Sequence, residues 1–452
     1  MLRRLLGCRR GAVSLMVTAI AIPMIGLAGL GAEAGSWYLI RRHAQNAADS
    51  AALAGAYALA ANKGTTIATQ EGQGFASKNG FSNGATLTTG ATQTVTIAYS
   101  GGNTIVTATV QQFQPPLLAR IVGLTSNVQI RAVAVAQIQH PDKVCALGLN
   151  SGNQGGLVIG GSQTFRGGNC ALATNTTVKF NGPPTFNGTG WAVDGSTGCN
   201  GPNCTLLPGG VSSDYHKPVT KPPTALVNLE GTAFPAEPSS KIKLTCSTLT
   251  CADINPAPPA CIGSACWQGD LLVKNGGIQN LACPAGSTQC TFYFDSINVQ
   301  NGALLSSCTT RPTAVAVMDC NGSFNPGVNI IVGAGGININ GNVALQANPT
   351  NSTNADLDGV LFYDPQPCSP SSANCGSTGN LAFNGNPNSV YGGAMFFPNA
   401  DVTWIGNGVA SNKCTMIIGN SLTFTGNNDI NLDWRGCNAN DIPQTQTILL
   451  IS

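Results

Sequence analysis

A mainly β protein with a long N-terminal α-helix is the fold class the sequence predicts, and three observations predict it. Residues Ala12 to Ala32 form an uncharged apolar span of 21 residues in which only Ser14 and Thr18 are polar; at ~1.5 Å per residue it covers ~30 Å of hydrocarbon. An alanine- and leucine-rich stretch without proline follows from Ser36 to about Ala61, a composition that favours helix. From about residue 140 the text turns to Gly, Asn, Pro and Cys, with short alternating strands that recur.

Taken in order, the span is expected to run outward as one rod. Alanines at Ala44, Ala48, Ala52 and Ala56 recur every four positions and give it a flat face for close packing. A weaker helix is expected over Ile67 to Lys78, stopped by Asn79-Gly80. The period then changes to two: Gln93 to Tyr99 and Thr104 to Gln112 flank Ser100-Gly101-Gly102-Asn103 and read as a hairpin. Pro115 to Gly123 reads as a short helix, with prolines at its start and glycine at its end. Val128 to Ile138 alternates again, which completes a small pilin-like α+β module with a three-stranded sheet.

Beyond His140-Pro141-Asp142, six segments end an alternating strand in Asn-Gly or Gly-Asn: Val178–Gly182, Thr185–Gly188, Ile337–Asn342, Leu381–Asn386, Val402–Asn407 and Leu422–Asn427. Strands this short bury no face alone, so stacked coils are the expected solution. The prediction is a disulfide-rich β-solenoid of the right-handed parallel β-helix type, with a β-sandwich as the alternative. Proline-rich text between about Thr205 and Ala260 reads as an insertion or long loop. The expected organisation is thus a cytoplasmic tail 1–11, a transmembrane helix 12–34, the α+β module 35–140 and an extracytoplasmic domain 141–452.

Composition narrows the function classes. Charged residues are only 9% of the 452, and Lys+Arg 21 against Asp+Glu 19 leaves no basic footprint for nucleic acid. Of 17 cysteines, Cys8 precedes the span and an even number follows it. Close couples at Cys199/Cys204, Cys246/Cys251, Cys261/Cys266, Cys283/Cys290 and Cys368/Cys375 point to disulfides in an oxidising compartment. No couple has the two-residue spacing of a zinc site, and only His43, His140 and His216 could assist one.

Arg3, Arg4, Arg9 and Arg10 precede the span and Arg41 and Arg42 follow it, which favours a cytoplasmic N-terminus. An uncleaved anchor fits the sequence better than any of three processing signals. Ala32-Glu33-Ala34 follows an apolar run longer than a signal peptide's. Leu5-Leu6-Gly7-Cys8 has no apolar segment before its cysteine, and a cut after Gly11 would leave Met16 where a processed pilin wants glutamate.

The string Arg10-Gly11-Ala12-Val13 through Gly35, then Tyr38 and Arg41, and above all Gln45-Asn46-Ala47-Ala48-Asp49-Ser50-Ala51-Ala52-Leu53-Ala54-Gly55-Ala56, resembles the N-terminal region of TadG-like proteins of the Tad (Flp) pilus assembly system. The resemblance covers about residues 9 to 60 and loosens towards 138. It implies a single-pass bacterial inner-membrane protein with a periplasmic bulk, acting with other Tad pilus assembly proteins. Some relatives carry a metal-dependent adhesion motif Asp-x-Ser-x-Ser; Asp194-Gly195-Ser196-Thr197-Gly198 lacks its second serine and reads as a turn.

The candidate assembly interface is Glu33, Ala44, Ala48, Asp49, Ala52 and Ala56. Glu33 at the membrane edge needs water or a partner, and Asp49 lies seven residues after Arg42. No catalytic set, cofactor or metal is expected. Asp356, Asp358 and Asp364 share a strand face by parity but read as turn and edge residues. The alternative reading is a membrane-anchored carbohydrate-active or adhesive β-helix whose low-charge surface meets a glycan or cell-surface ligand.

Overall fold

The computed structural model describes the chain except residues 1–8, 61–62, 124, 140–142, 151–154, 206, 216, 218–219, 221, 258–262, 285–286, 288–289, 317–319, 321–323, 325–326, 367–380, 385–388, 406–413, 428, 438–441, 446 and 452. It divides into two units, one of residues 1–139 with 447–452 and one of residues 140–446.

In the first unit, helix α1 (Arg9–Ala60) runs unbroken for 52 residues through Pro23. Helix α2 (Gly64–Lys78) follows it. The sheet has β1 (Thr92–Ser100), β2 (Ile105–Gln114) and β3 (Val128–Gln139) in antiparallel order. Gly101, Gly102 and Asn103 all take positive φ in the turn between β1 and β2, a conformation that glycine and asparagine adopt most readily. A fourth strand, Thr447–Leu450, pairs antiparallel with β3, so that Thr447 faces Gln139. The expected three-stranded sheet is therefore four-stranded. The extra strand comes from the far end of the chain, where no local pattern ties it to residue 139. The expected helix after Pro115 is only a 3-10 turn, Ala119–Val122, closed by Gly123 in the left-handed region.

The core of this unit is made of small side chains. Ala44, Ala47, Ala48, Ala51, Ala52 and Ala56 are completely buried against Val95, Val106, Val110, Ala132, Ala134 and Ala136 of the sheet. Spacings of three and four put these alanines on one stripe, and their size lets the helix lie close on the strands. The two helices also approach closely, for a Cβ on Gly72 would stand 3.0 Å from the Ala51 carbonyl oxygen.

The named strands of the second unit pair in parallel, in recurring ladders. One ladder registers Val299, Ile339, Phe383, Trp404, Phe424, Ile159 and Phe180 in a single buried column. The Phe383 and Trp404 rings stack at 5.1 Å, close to the spacing of neighbouring strands. Five of the six segments that sequence alone marked as repeats lie on this ladder, because in each an apolar residue alternates inward just before the turn. A second ladder registers Ile331, Tyr363, Phe396, Ile418 and Leu147.

Order along the ladders differs from order along the chain. The chain starts at Val144–Gly148, passes through Ala171–Thr174 and Trp191–Gly195, and reaches Val211–Asp214. It resumes at Lys243–Cys246 and returns until Thr415–Gly419 pairs with Val144–Gly148, Ile417 facing Ala146. The last rungs thus pair with the first.

The proline-rich stretch at about 205–260, expected as an insertion or long loop, lies in the segment linking the two halves. It contains strand Val211–Asp214, helix α3 (Thr224–Gly231) and strand Lys243–Cys246, and it works as a strap. Leu226 and Leu229 are fully buried in one cluster with Leu147, Ile331, Tyr363 and Phe396. Asn175 exchanges hydrogen bonds with the Thr220 backbone at 2.7 and 2.8 Å. Further along, the Tyr363 hydroxyl donates to the Leu229 carbonyl at 3.0 Å and the Trp267 indole to the Pro235 carbonyl at 3.0 Å. Covering this face lets strands such as Val360–Tyr363 and Thr415–Gly419 be buried on both sides.

Disulfides join Cys199–Cys204, Cys246–Cys251 and Cys283–Cys290, as the spacing suggests. They also join Cys145–Cys170, Cys308–Cys320 and Cys414–Cys437, which no close couple signalled. Cys145 and Cys170 stand beside paired rungs, where Val144 faces Ala171. Cys266 is disulfide-bonded, while Cys261, Cys368 and Cys375 lie outside the described residues.

Candidate assembly interface

Glu33 occupies the position after the apolar span on α1, and 9% of its surface is exposed. Its carboxylate accepts three backbone hydrogen bonds, from the N–H groups of Leu117 at 2.6 Å, Leu118 at 2.9 Å and Ala119 at 2.7 Å. Pro115 and Pro116 precede these residues and carry no N–H, so the first free donors of the turn all converge on the acid. From sequence alone, water or a neighbouring subunit is the expected partner of Glu33. The structure supplies a third answer, a turn some 84 residues away in the same unit. The signal was present in Pro-Pro-Leu-Leu-Ala, whose donors need an acceptor, but nothing local names which one.

The four alanines of the candidate interface are brought together, and the sheet of their own unit covers them. Ala44, Ala48, Ala52 and Ala56 have no exposed surface. They form part of the unit's own core. Asp49 faces Gln45, whose Nε2 donates to Asp49 Oδ1 at 2.8 Å and to the Val133 carbonyl at 3.1 Å. That amide ties the alanine-rich segment to β3. Nearer the span, Trp37, Tyr38 and Arg41 line a shallow groove with Gln129, Ile130 and Arg131.

In the second unit the acids of interest separate. Asp194 binds the Lys217 ammonium at 2.9 Å with both side chains buried, and also accepts from the Asp214 N–H at 3.2 Å. Its oxygens serve the joint between strap and ladder. Asp356 accepts from Asn228 of α3 at 3.3 Å and Asp358 from the Asn351 N–H. Asp364 is fully buried, accepts from the Gln366 N–H at 2.9 Å, and burial holds its carboxyl well above the usual range. Parity along the strand therefore does not gather the three into one site.

A cluster that the sequence did not announce lies where Glu237 of the strap meets Asp295. Burial, reinforced by the Glu237 carboxylate, pushes Asp295 up to about 7. Glu237 itself receives Lys241 at 2.6 Å and the Ala334 N–H at 3.2 Å. The two acids are 58 residues apart in sequence, and only the strap brings them together. Among the described residues no group of three or more His, Cys, Asp or Glu is placed to hold a metal ion.

The inner part of α1 contrasts with its outer part. Met16, Val17, Ile20, Met24, Ile25 and Leu27 are all strongly exposed. The helix is long and apolar enough to cross a membrane. Neither a curated protein nor a solved structure matches the chain. Residues 11–60 match the family model Tad, described as "Putative Flp pilus-assembly TadE/G-like". The matched residues are the exposed apolar half of α1 together with its buried alanine half. The match spans residues 11–60 of the 452, so the likeness to putative Flp pilus-assembly TadE/G-like proteins is carried by α1.

Proposed function

We propose that the protein is a membrane-anchored, non-enzymatic component of Tad/Flp pilus assembly. The observation that carries this reading is the Tad domain match on α1, whose inner half is apolar and exposed while its outer half is alanine-packed. The anchor is a single pass with a cytoplasmic N-terminus and the bulk in the periplasm of a bacterial inner membrane. The arginine asymmetry and the six described disulfides support that orientation.

Because the alanine stripe is occupied, docking to other assembly proteins uses outward surfaces of the first unit. In the second unit, the recurring ladders read as the coils of a β-solenoid, stapled by disulfides and strapped along one face. Its outward column between the buried ones runs Asn298, Asn338, Ala382, Thr403, Thr423 and Val158. That is a low-charge surface suited to protein or glycan contact.

Deleting the chain from its bacterium and restoring it on a plasmid tests the proposal. Surface pili should be lost and then recovered with the full chain. Undiminished piliation in the deletion strain would overturn the reading. The carbohydrate-active alternative draws only on the Asp295–Glu237 pair; polysaccharide turnover lost in Asp295→Asn would favour it.

A further inference from the structure

The turn that Glu33 holds carries two exposed leucines. Leu117 is 73% exposed and Leu118 43%. The Leu118 side chain lies over Gly29, where an added Cβ would come within 2.9 Å of its Cδ1. Gly29 sits inside the apolar span, four residues or ~6 Å of helix before Glu33. The medium around α1 at that height is the one that Ile25 and Leu27 face, each at least 70% exposed.

We propose that the turn Pro115–Gly123 is an interfacial foot: Leu117 and Leu118 enter the acyl boundary of the bilayer beside α1, and Arg120 reaches the headgroups. This rests on the reading of α1 as a membrane anchor. The hydrogen bonding suits such a setting in two ways. In lipid every backbone donor must be satisfied, and here two prolines have none while the next three N–H groups are bound. A carboxylate at the membrane edge is costly unless paired, and those same three donors satisfy it. In water neither need would be acute, since each group could hydrogen-bond to solvent. Arg120 is exposed and follows the leucines, so the turn is amphipathic in the sense an interface requires. The occupant is thus a phospholipid surface, and the foot fixes the depth and rotation of the first unit on its anchor.

The test is photo-crosslinking of the full chain in phospholipid vesicles, with p-benzoylphenylalanine placed singly at Ile20, Leu117 or Ser100. Ile20 reports the anchor, and Ser100 lies at the opposite end of the β1–β2 ladder from Phe113, which precedes the foot. Lipid adducts should form at 20 and at 117, with 117 exceeding 100 about tenfold. Adducts at 20 with no excess at 117 over 100 would overturn the foot and leave the anchor standing. No adduct at 20 would overturn both. In Glu33→Gln the adduct at 117 should fall while that at 20 persists; an unchanged yield at 117 would contradict the assignment of Glu33 as the group that holds the foot.

Discussion

The two units solve the same packing problem with opposite materials. The first presses an alanine stripe onto a sheet rich in alanine and valine. The second fills its ladders with Phe383, Trp404, Phe424, Phe396 and Tyr363. Alanine brings little apolar area, and its benefit is close approach of backbones over a long continuous contact. Large rings bring area and tight ring packing, but each leaves a deep void when removed. The first unit should therefore suffer most from added volume, and the second from lost volume.

The sharpest way to break that comparison is Phe383→Ala. Phe383 contacts Trp404, Tyr391, Phe397 and Phe362 rings, and truncation should destabilise the second unit by ~3–5 kcal/mol. Denaturant midpoints of the second unit's transition would check it. A similar loss is expected from Lys217→Met, which leaves the Asp194 carboxylate buried without its cation, at ~3–5 kcal/mol. Replacing both residues, Asp194→Leu with Lys217→Met, should recover part of that stability in the same titration. In the first unit Gly72→Ala adds one methyl where α2 meets α1. Overpacking of ~1–3 kcal/mol is offset by ~1 kcal/mol of helix propensity, so a small net loss is expected from thermal unfolding.

The gentlest probe is pH. Asp295 stays protonated in the fold up to about 7, whereas once unfolded it ionises within the ordinary carboxylate range. The unfolded chain then binds fewer protons between those two values, so the second unit loses stability as pH rises through that window and levels off above it. Glu237, Lys241 and Asp270 are the charged groups acting on it. Asp295→Asn should flatten the slope, which stability curves at several pH values would measure.

Much of the architecture was legible because it repeats or is local. The helix from the span through Ala60, the hairpin around Gly101-Gly102 and the strands ending at Phe180, Ile339, Phe383, Trp404 and Phe424 all follow from periodicity. What escaped depends on contacts between distant residues. Thr447–Leu450 joins β3, Thr415–Gly419 pairs with Val144–Gly148, and Glu237 reaches Asp295 through the strap. Proline-rich text at Pro222-Pro223 signals a break in regular structure, and no local rule says that the break covers a sheet. Of the candidate interface, Ala44, Ala48, Ala52 and Ala56 were legible as one packed face. Sequence left open whether that face met a partner or its own sheet, because an alanine stripe suits both.

Ala48→Leu in the full chain, followed by hydrogen exchange in membranes together with pilus counts, tests that point most directly. The expected result is loss of protection across residues 44–60 and 92–139, intact protection over the ladders of the second unit, and loss of pili. Pili lost while residues 44–60 and 92–139 keep their protection would contradict it, since the alanine face would then be serving a partner rather than its own sheet.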